Sequence, residues 1–110
     1  EDFYRDCARI LNEGGILVNQ HESPYYDENV SVVREMHGKM KRVFPISTVY
    51  QAFIPTYPSG HWLFGFASMD MTPPGDTVPG RTDGLEMRYF NDEVRRASFA
   101  LPNYVRELID

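Results

Sequence analysis

Cysteine is nearly absent: Cys7 is the only one in 110 residues, which excludes an internal disulfide and fits a reducing cytosol. A cytoplasmic protein is the expectation. No run approaches the ~20 apolar residues of a membrane-spanning helix, and no signal-peptide pattern opens the chain. Basic clusters are equally scarce. Nothing exceeds Lys39-Met40-Lys41-Arg42, and at a net charge of −5 the electrostatic footprint of a nucleic-acid binder is missing. An acidic balance suits a cationic ligand as well as it suits ordinary solubility.

Several kinds of chemistry are also excluded. No glycine-rich phosphate loop follows a strand, since Gly14-Gly15 precedes one instead. His21, His37 and His61 lack metal-ligand spacing, so no metal is expected. Ser59 lies in Pro-Ser-Gly rather than in a strand-to-helix nucleophile elbow, and no partner base is evident. Cys7 has no histidine predictably near it and reads as a helix core residue.

What the chain does contain is enough apolar material to fold: 42% hydrophobic and 14% aromatic residues against 25% charged, a globule of one domain's size. It opens at Glu1-Asp2-Phe3, without methionine, and Phe3, Cys7, Ile10 and Leu11 then recur at helical spacing. Gly14 and Gly15 end that helix. Ile16-Leu17-Val18 reads as a strand buried on both faces in a parallel sheet, turning polar at Asn19-Gln20-His21-Glu22. A helix feeding such a strand predicts that the first elements of the sheet are missing. A second helix is predicted from Tyr26 to Arg42, with Asp27 and Glu28 complementing its dipole and Val33, Met36, Met40 and Val43 facing inward. Thr48 to Ile54 and His61 to Ser68 predict the two strands of a hairpin. Residues 72–80 hold three prolines and no hydrophobic period, hence a surface loop. Short helices follow over Asn91–Ala97 and Pro102–Ile109.

The loop between the hairpin strands, Ile54-Pro55-Thr56-Tyr57-Pro58-Ser59-Gly60, is the most telling segment. Its prolines and glycine leave the backbone few states, so it loses little entropy on ordering and suits binding. It sets Tyr57 at one edge of the sheet, with Gln20 and Glu22 just past the first strand and Trp62 starting the last. Ligands of open α/β sheets bind beyond the carboxyl ends of the strands. An aliphatic amine there needs a carboxylate or amide to receive its N–H bonds, and aromatic walls for its methylenes and its charge. Each residue also has a plainer reading: Tyr57 caps a turn, Gln20 bonds loop backbone, Glu22 is solvated, Trp62 is core. His21 and His61 flank the region and read as surface or hydrogen-bonded residues rather than bases.

Three segments carry a family resemblance: Gly-Gly-Ile-Leu-Val-Asn-Gln-His-Glu-Ser at 14–23, the proline loop at 54–60, and Met-Arg-Tyr-Phe-Asn-Asp-Glu-Val-Arg-Arg-Ala-Ser-Phe-Ala-Leu-Pro at 87–102. Together they closely resemble spermidine synthase, a polyamine aminopropyltransferase, over nearly the whole chain. The fold this implies is α/β: the C-terminal half of a methyltransferase-like Rossmann domain, ending in an antiparallel hairpin and short C-terminal helices. Residues 1–70 would form the half-domain, 71–86 a Pro/Gly-rich loop, and 87–110 a helical segment packing on the same domain. The implied activity moves the aminopropyl group of decarboxylated S-adenosylmethionine, the co-substrate, to putrescine, giving spermidine and methylthioadenosine. By the resemblance Tyr57 lines the amine site, Gln20 bonds an amine nitrogen, Glu22 adds negative charge, and Trp62 follows at a position where the family varies.

The family's aspartate segment and its glycine-rich nucleotide loop are not in this chain, and Asp70, Asp76 and Asp83 sit in the wrong segments to replace the aspartate. No catalytic, cofactor-binding or metal residue is therefore assigned, and the isolated fragment is expected to bind no cofactor and to be inactive. The missing N-terminal half of the same enzyme is its expected partner, with a homo-oligomer when intact, and with neither nucleic acid nor membrane. Two rivals stand beside this reading. One is a stand-alone, non-catalytic α/β module binding polyamines or a protein partner. The other, a small-molecule methyltransferase of the same fold, is opposed by the proline loop.

Overall fold

The alternation Trp62-Leu63-Phe64-Gly65-Phe66-Ala67 sets the architecture, because successive side chains of a strand face opposite sides of the sheet. The computed structural model describes residues 2–75 and 79–110. Along the chain run α1 (Asp2–Ile10), β1 (Ile16–Glu22), α2 (Asp27–Val43), β2 (Ile46–Phe53), β3 (His61–Ser68), α3 (Asp92–Ala97) and α4 (Asn103–Ile109). β3 is the middle strand of a three-stranded sheet in the order β1-β3-β2, antiparallel to both neighbours. The expected hairpin is therefore β2–β3.

One face of β3 presents Leu63, Gly65 and Ala67 to a layer of helices. Leu63 packs with Val49 of β2, Val33 of α2, and Val105 and Ile109 of α4. Ala67 packs with Met40 of α2, with Phe44, and with Tyr4 of α1. Val33, His37 and Met40 recur at helical spacing and are the buried residues of α2. Phe44 caps that helix, its N–H donating to the Met40 carbonyl, and Pro45 prevents continuation. The opposite face carries Tyr50 stacked on Phe64, with Phe99 against Tyr50 and Phe66. The Ser98 carbonyl receives the Gln51 N–H, which moors the α3 end to the outer edge of β2.

Three expectations need correction. β1 is not buried on both faces of a parallel sheet: it pairs antiparallel with β3, and among the described residues its other edge is unpaired. Leu17 faces the helices, but Ile16 and Val18 are 44% and 51% exposed. A run of apolar residues reads alike whether its second face is covered or open. β1 also extends through Glu22, because its ladder with β3 continues past Gln20 across a bulge; Gln20 and Glu22 thus lie within the strand rather than after it. In α1 the inward stripe is Tyr4, Cys7, Ala8 and Leu11, while Phe3 and Ile10 are exposed. Tyr4 takes the inner position because its hydroxyl finds a partner there, accepting from Asn19 Nδ2 at 2.6 Å.

Residues 69–91 contain no helix or strand among those described. The surface loop predicted over 72–80 includes 76–78, with Asp76, which lie outside the described residues. Among the described residues no helix is long and apolar enough to cross a membrane.

Candidate functional site

The proline loop is built from two turns that share Tyr57. The Tyr57 N–H donates to the Ile54 carbonyl at 3.0 Å, and the Gly60 N–H to the Tyr57 carbonyl at 3.1 Å. Each turn therefore has proline, Pro55 and then Pro58, at its second position, where φ is already set. Ser59 occupies the third position of the second turn at φ 70°, and Gly60 follows at φ 67°, a conformation glycine takes freely and serine does not. Ser59 is held there by its hydroxyl, which lies 3.0 Å from Ser23 Oγ and 3.3 Å from the His61 N–H and carbonyl. The Ile54 N–H closes the loop on the Gly60 carbonyl at 2.9 Å.

That frame presents the Tyr57 ring to Trp62, with centroids 4.6 Å apart and planes at 49°. Tyr57 is 44% exposed while Trp62 is 8% exposed, so the tryptophan is the wall and the phenol the rim. Trp62 belongs to the core surface and to the cleft at once, and its indole N–H is buried with no partner among the described residues. A cleft of about 340 Å³ opens beside it, lined by Tyr26, Glu28, Asn29, Pro58 and Trp62.

Ser23, fully buried, joins the end of β1 to this loop through Ser59. Glu22, immediately before it, has φ 88° at the bulge and is half-buried, and Gln20 is exposed on the side of β1 away from the helices. Among the described residues neither side chain has a hydrogen-bond partner. The structure thus brings Tyr57 and Trp62 into contact and links the two loops, and it leaves Gln20 and Glu22 at the same end of the sheet without joining them to the aromatic pair. Ser23, Ser59, Tyr26, Glu28 and Asn29 were missed as site residues. In the sequence Glu28 reads as a dipole complement and Ser59 as a serine outside any nucleophile elbow, and neither pattern signals a cleft.

The histidines differ from expectation. His21 is not at the surface: it is fully buried, its ring 5.7 Å from that of His37, and neither of its ring nitrogens has a hydrogen-bond partner among the described residues. A Cβ on Gly65 would lie 2.5 Å from His21 Cε1, so the bare glycine in β3 is what admits the ring. Burial holds the His21 imidazole below its usual range, and burial together with His21 and Lys41 lowers His37 to about 4. His61 is hydrogen-bonded, as expected, at the foot of the proline loop. Among the described residues no cluster of three or more His, Cys, Asp or Glu side chains is arranged to hold a metal ion. An aromatic pair beside carboxylate and amide groups can hold a cation and its methylenes.

Known proteins share this arrangement of loop, strand and helix. The domain described as "Spermine/spermidine synthase domain" matches residues 1–74. The polyamine aminopropyltransferase of Clostridioides difficile (strain 630) is 51% identical over 111 residues, covering 99% of this chain and 39% of that protein. That of Alkaliphilus oremlandii (strain OhILAs) is 50% identical over 112 residues, with 100% and 39% covered. Among solved structures, spermidine synthase from Thermotoga maritima superposes with a TM-score of 0.88 at 39% identity, over 98% of this chain and 38% of that one. A spermidine synthase in complex with the transition-state analogue AdoDATO gives the same values. The expected fold, a C-terminal part of a methyltransferase-like Rossmann domain, accords with both. The chain spans about two fifths of the length of these relatives (39%), and it belongs to the spermine/spermidine synthase family.

Proposed function

We propose that this chain is the amine-recognising part of a polyamine aminopropyltransferase, a spermidine synthase acting in the cytoplasm. Its substrates are decarboxylated S-adenosylmethionine and putrescine. The amine nitrogen attacks the carbon next to the sulfonium, the carbon–sulfur bond breaks, methylthioadenosine leaves, and the nitrogen gives up a proton. Because an ammonium has no lone pair, the step needs deprotonation and alignment of both reactants.

The observation that carries this reading is the pair of proline-braced turns that set Tyr57 on Trp62 at the end of the sheet. Aromatic faces receive the methylenes and charge of the diamine, Gln20 accepts an N–H bond, and Glu22 supplies negative charge. The nucleotide co-substrate and the proton-accepting carboxylate fall to the rest of the protein. The open edge of β1, with exposed Ile16 and Val18, is a surface for that remainder to cover. A stand-alone binding module leaves this surface unexplained. The 110-residue chain by itself is therefore expected to turn over nothing, and the intact protein to work as a homo-oligomer.

The test is direct. Full-length protein is incubated with decarboxylated S-adenosylmethionine and putrescine, and methylthioadenosine and spermidine are quantified. Equal amounts of both are expected. No product with putrescine or any other diamine overturns the reading.

A further inference from the structure

The proline loop is stiff within itself but joins the sheet at only two points, Phe53–Ile54 and Gly60–His61, so it can swing as a unit unless something moors its foot. On one side the Ser23–Ser59 hydroxyl contact does this. On the other side lies a row of side chains drawn from four parts of the fold. His61 Nε2 is 2.7 Å from Gln51 Oε1 of β2, His61 Nδ1 is 3.0 Å from the Tyr104 hydroxyl of α4, and that hydroxyl is 3.1 Å from the Tyr25 hydroxyl of the β1–α2 connection.

The direction of every bond in the row follows from one end. Gln51 Nε2 donates to the Ala100 carbonyl at 3.1 Å, and a carbonyl only accepts, so Gln51 turns its oxygen to His61. The His61 proton therefore sits on Nε2, and Nδ1 is left with a lone pair. Tyr104 must donate to that lone pair, and Tyr25 must donate to Tyr104. Burial holds the His61 imidazole below its usual range and pushes the Tyr104 phenol up to about 12. Both groups are thus neutral near pH 7, as the row requires. The rings add to the mooring: Tyr25 and Tyr104 pack edge-on against His61 at 5.5 and 6.0 Å.

From this geometry we infer that Gln51, His61, Tyr104 and Tyr25 are positioning residues, a directed hydrogen-bond row that fixes the swing of the proline loop and so sets Tyr57 against Trp62 for the amine. The inference rests on the functional reading above. None of the four residues lines the cleft beside Trp62. They line a separate groove of about 730 Å³ on the other side of the loop. They act on substrate only through the loop.

The direction of the row makes an asymmetric forecast for the full-length enzyme. Tyr104→Phe removes two bonds and leaves His61 Nδ1 without a donor, so the putrescine KM should rise about two- to tenfold, with kcat and the nucleotide KM unchanged. Tyr25→Phe keeps the Tyr104–His61 bond and should shift the putrescine KM less. His61→Gln, which retains a donor and an acceptor, should recover part of the KM lost in His61→Ala. Equal effects on both substrates, or no effect of Tyr104→Phe, overturn the inference. Failure of the functional reading is separable from this. If the wild-type enzyme makes no aminopropyl product, the row is read from Trp62 emission in protein whose other tryptophans are replaced by phenylalanine. Tyr104→Phe should then shift the emission and raise its quenching by acrylamide, and an unchanged spectrum contradicts the row's role.

Discussion

Tyr57 rests on Trp62 with ring centroids 4.6 Å apart, the phenol on a loop fixed by two prolines and the indole on the central strand. The contact couples a binding rim to the core. Trp62 is nine-tenths buried, yet its indole N–H has no partner among the described residues. Trp62→Phe removes volume and an unsatisfied donor together, effects of opposite sign. It should cost less than about 1.5 kcal/mol, whereas Trp62→Ala should cost about 3–5 kcal/mol. Chemical denaturation of the full-length protein checks both, and equal losses would contradict the assignment.

Gly65 is a second point where the core admits no change. An added Cβ would meet His21 Nε2 at 2.6 Å and Met40 Sδ at 2.9 Å. Gly65→Ala should destabilise the protein by about 1–3 kcal/mol, as overpacking does. His21→Ala in the same background should recover part of that loss in urea denaturation, and simple additivity of the two changes would show that the ring is not the obstacle.

The buried imidazoles predict a pH dependence. His37 titrates at about 4 in the folded protein against an ordinary 6.5, chiefly through burial and then through the charges of His21 and Lys41, with Asp110 opposing. His21 is lowered by burial as well. The unfolded chain therefore binds protons first as pH falls. Stability contributed by neutral His37 is whole above pH 6.5 and drains away between there and about 4, at no more than ~1.4 kcal/mol per pH unit for each histidine. His37→Leu should flatten the stability–pH curve over that interval in denaturation series from pH 7.5 to 4.5. An unchanged slope would contradict the assignment.

The Ser23–Ser59 contact at 3.0 Å predicts a coupling energy. Ser23 is fully buried, so Ser59→Ala leaves its hydroxyl short of a partner. Each single alanine variant should cost more than its share of the double, with a coupling of about 0.5–1.5 kcal/mol in a double-mutant cycle. No coupling would mean that the two loops are held together by other contacts.

Local pattern carried much of this fold. The α2 boundaries follow from the acidic first turn, the Val33/Met40 spacing and Pro45, and they fall within a residue of those predicted. The hairpin and its stiff connection follow from β-branched and aromatic runs on either side of two prolines. What could not be read is pairing at a distance. His37 looks like a polar break in the inward stripe of α2 until His21, on β1, is found beside it. The Ser23–Ser59 contact and the row from Tyr25 to Gln51 join segments far apart in sequence, and no local period encodes them. The Glu28–Asn29 wall was hidden for a different reason, because an acidic first turn is explained by the helix dipole alone.

Tyr57 as the rim of an amine site is the central claim, and a split between the two substrates tests it most directly. In full-length protein, Tyr57→Ala should raise the putrescine KM about tenfold or more, the scale of a lost aromatic face on a desolvated cation, and Tyr57→Phe should raise it less. The KM for decarboxylated S-adenosylmethionine and the affinity for methylthioadenosine should stay within about twofold in both. Equal losses for amine and nucleotide, or no change in the amine KM, would contradict the account.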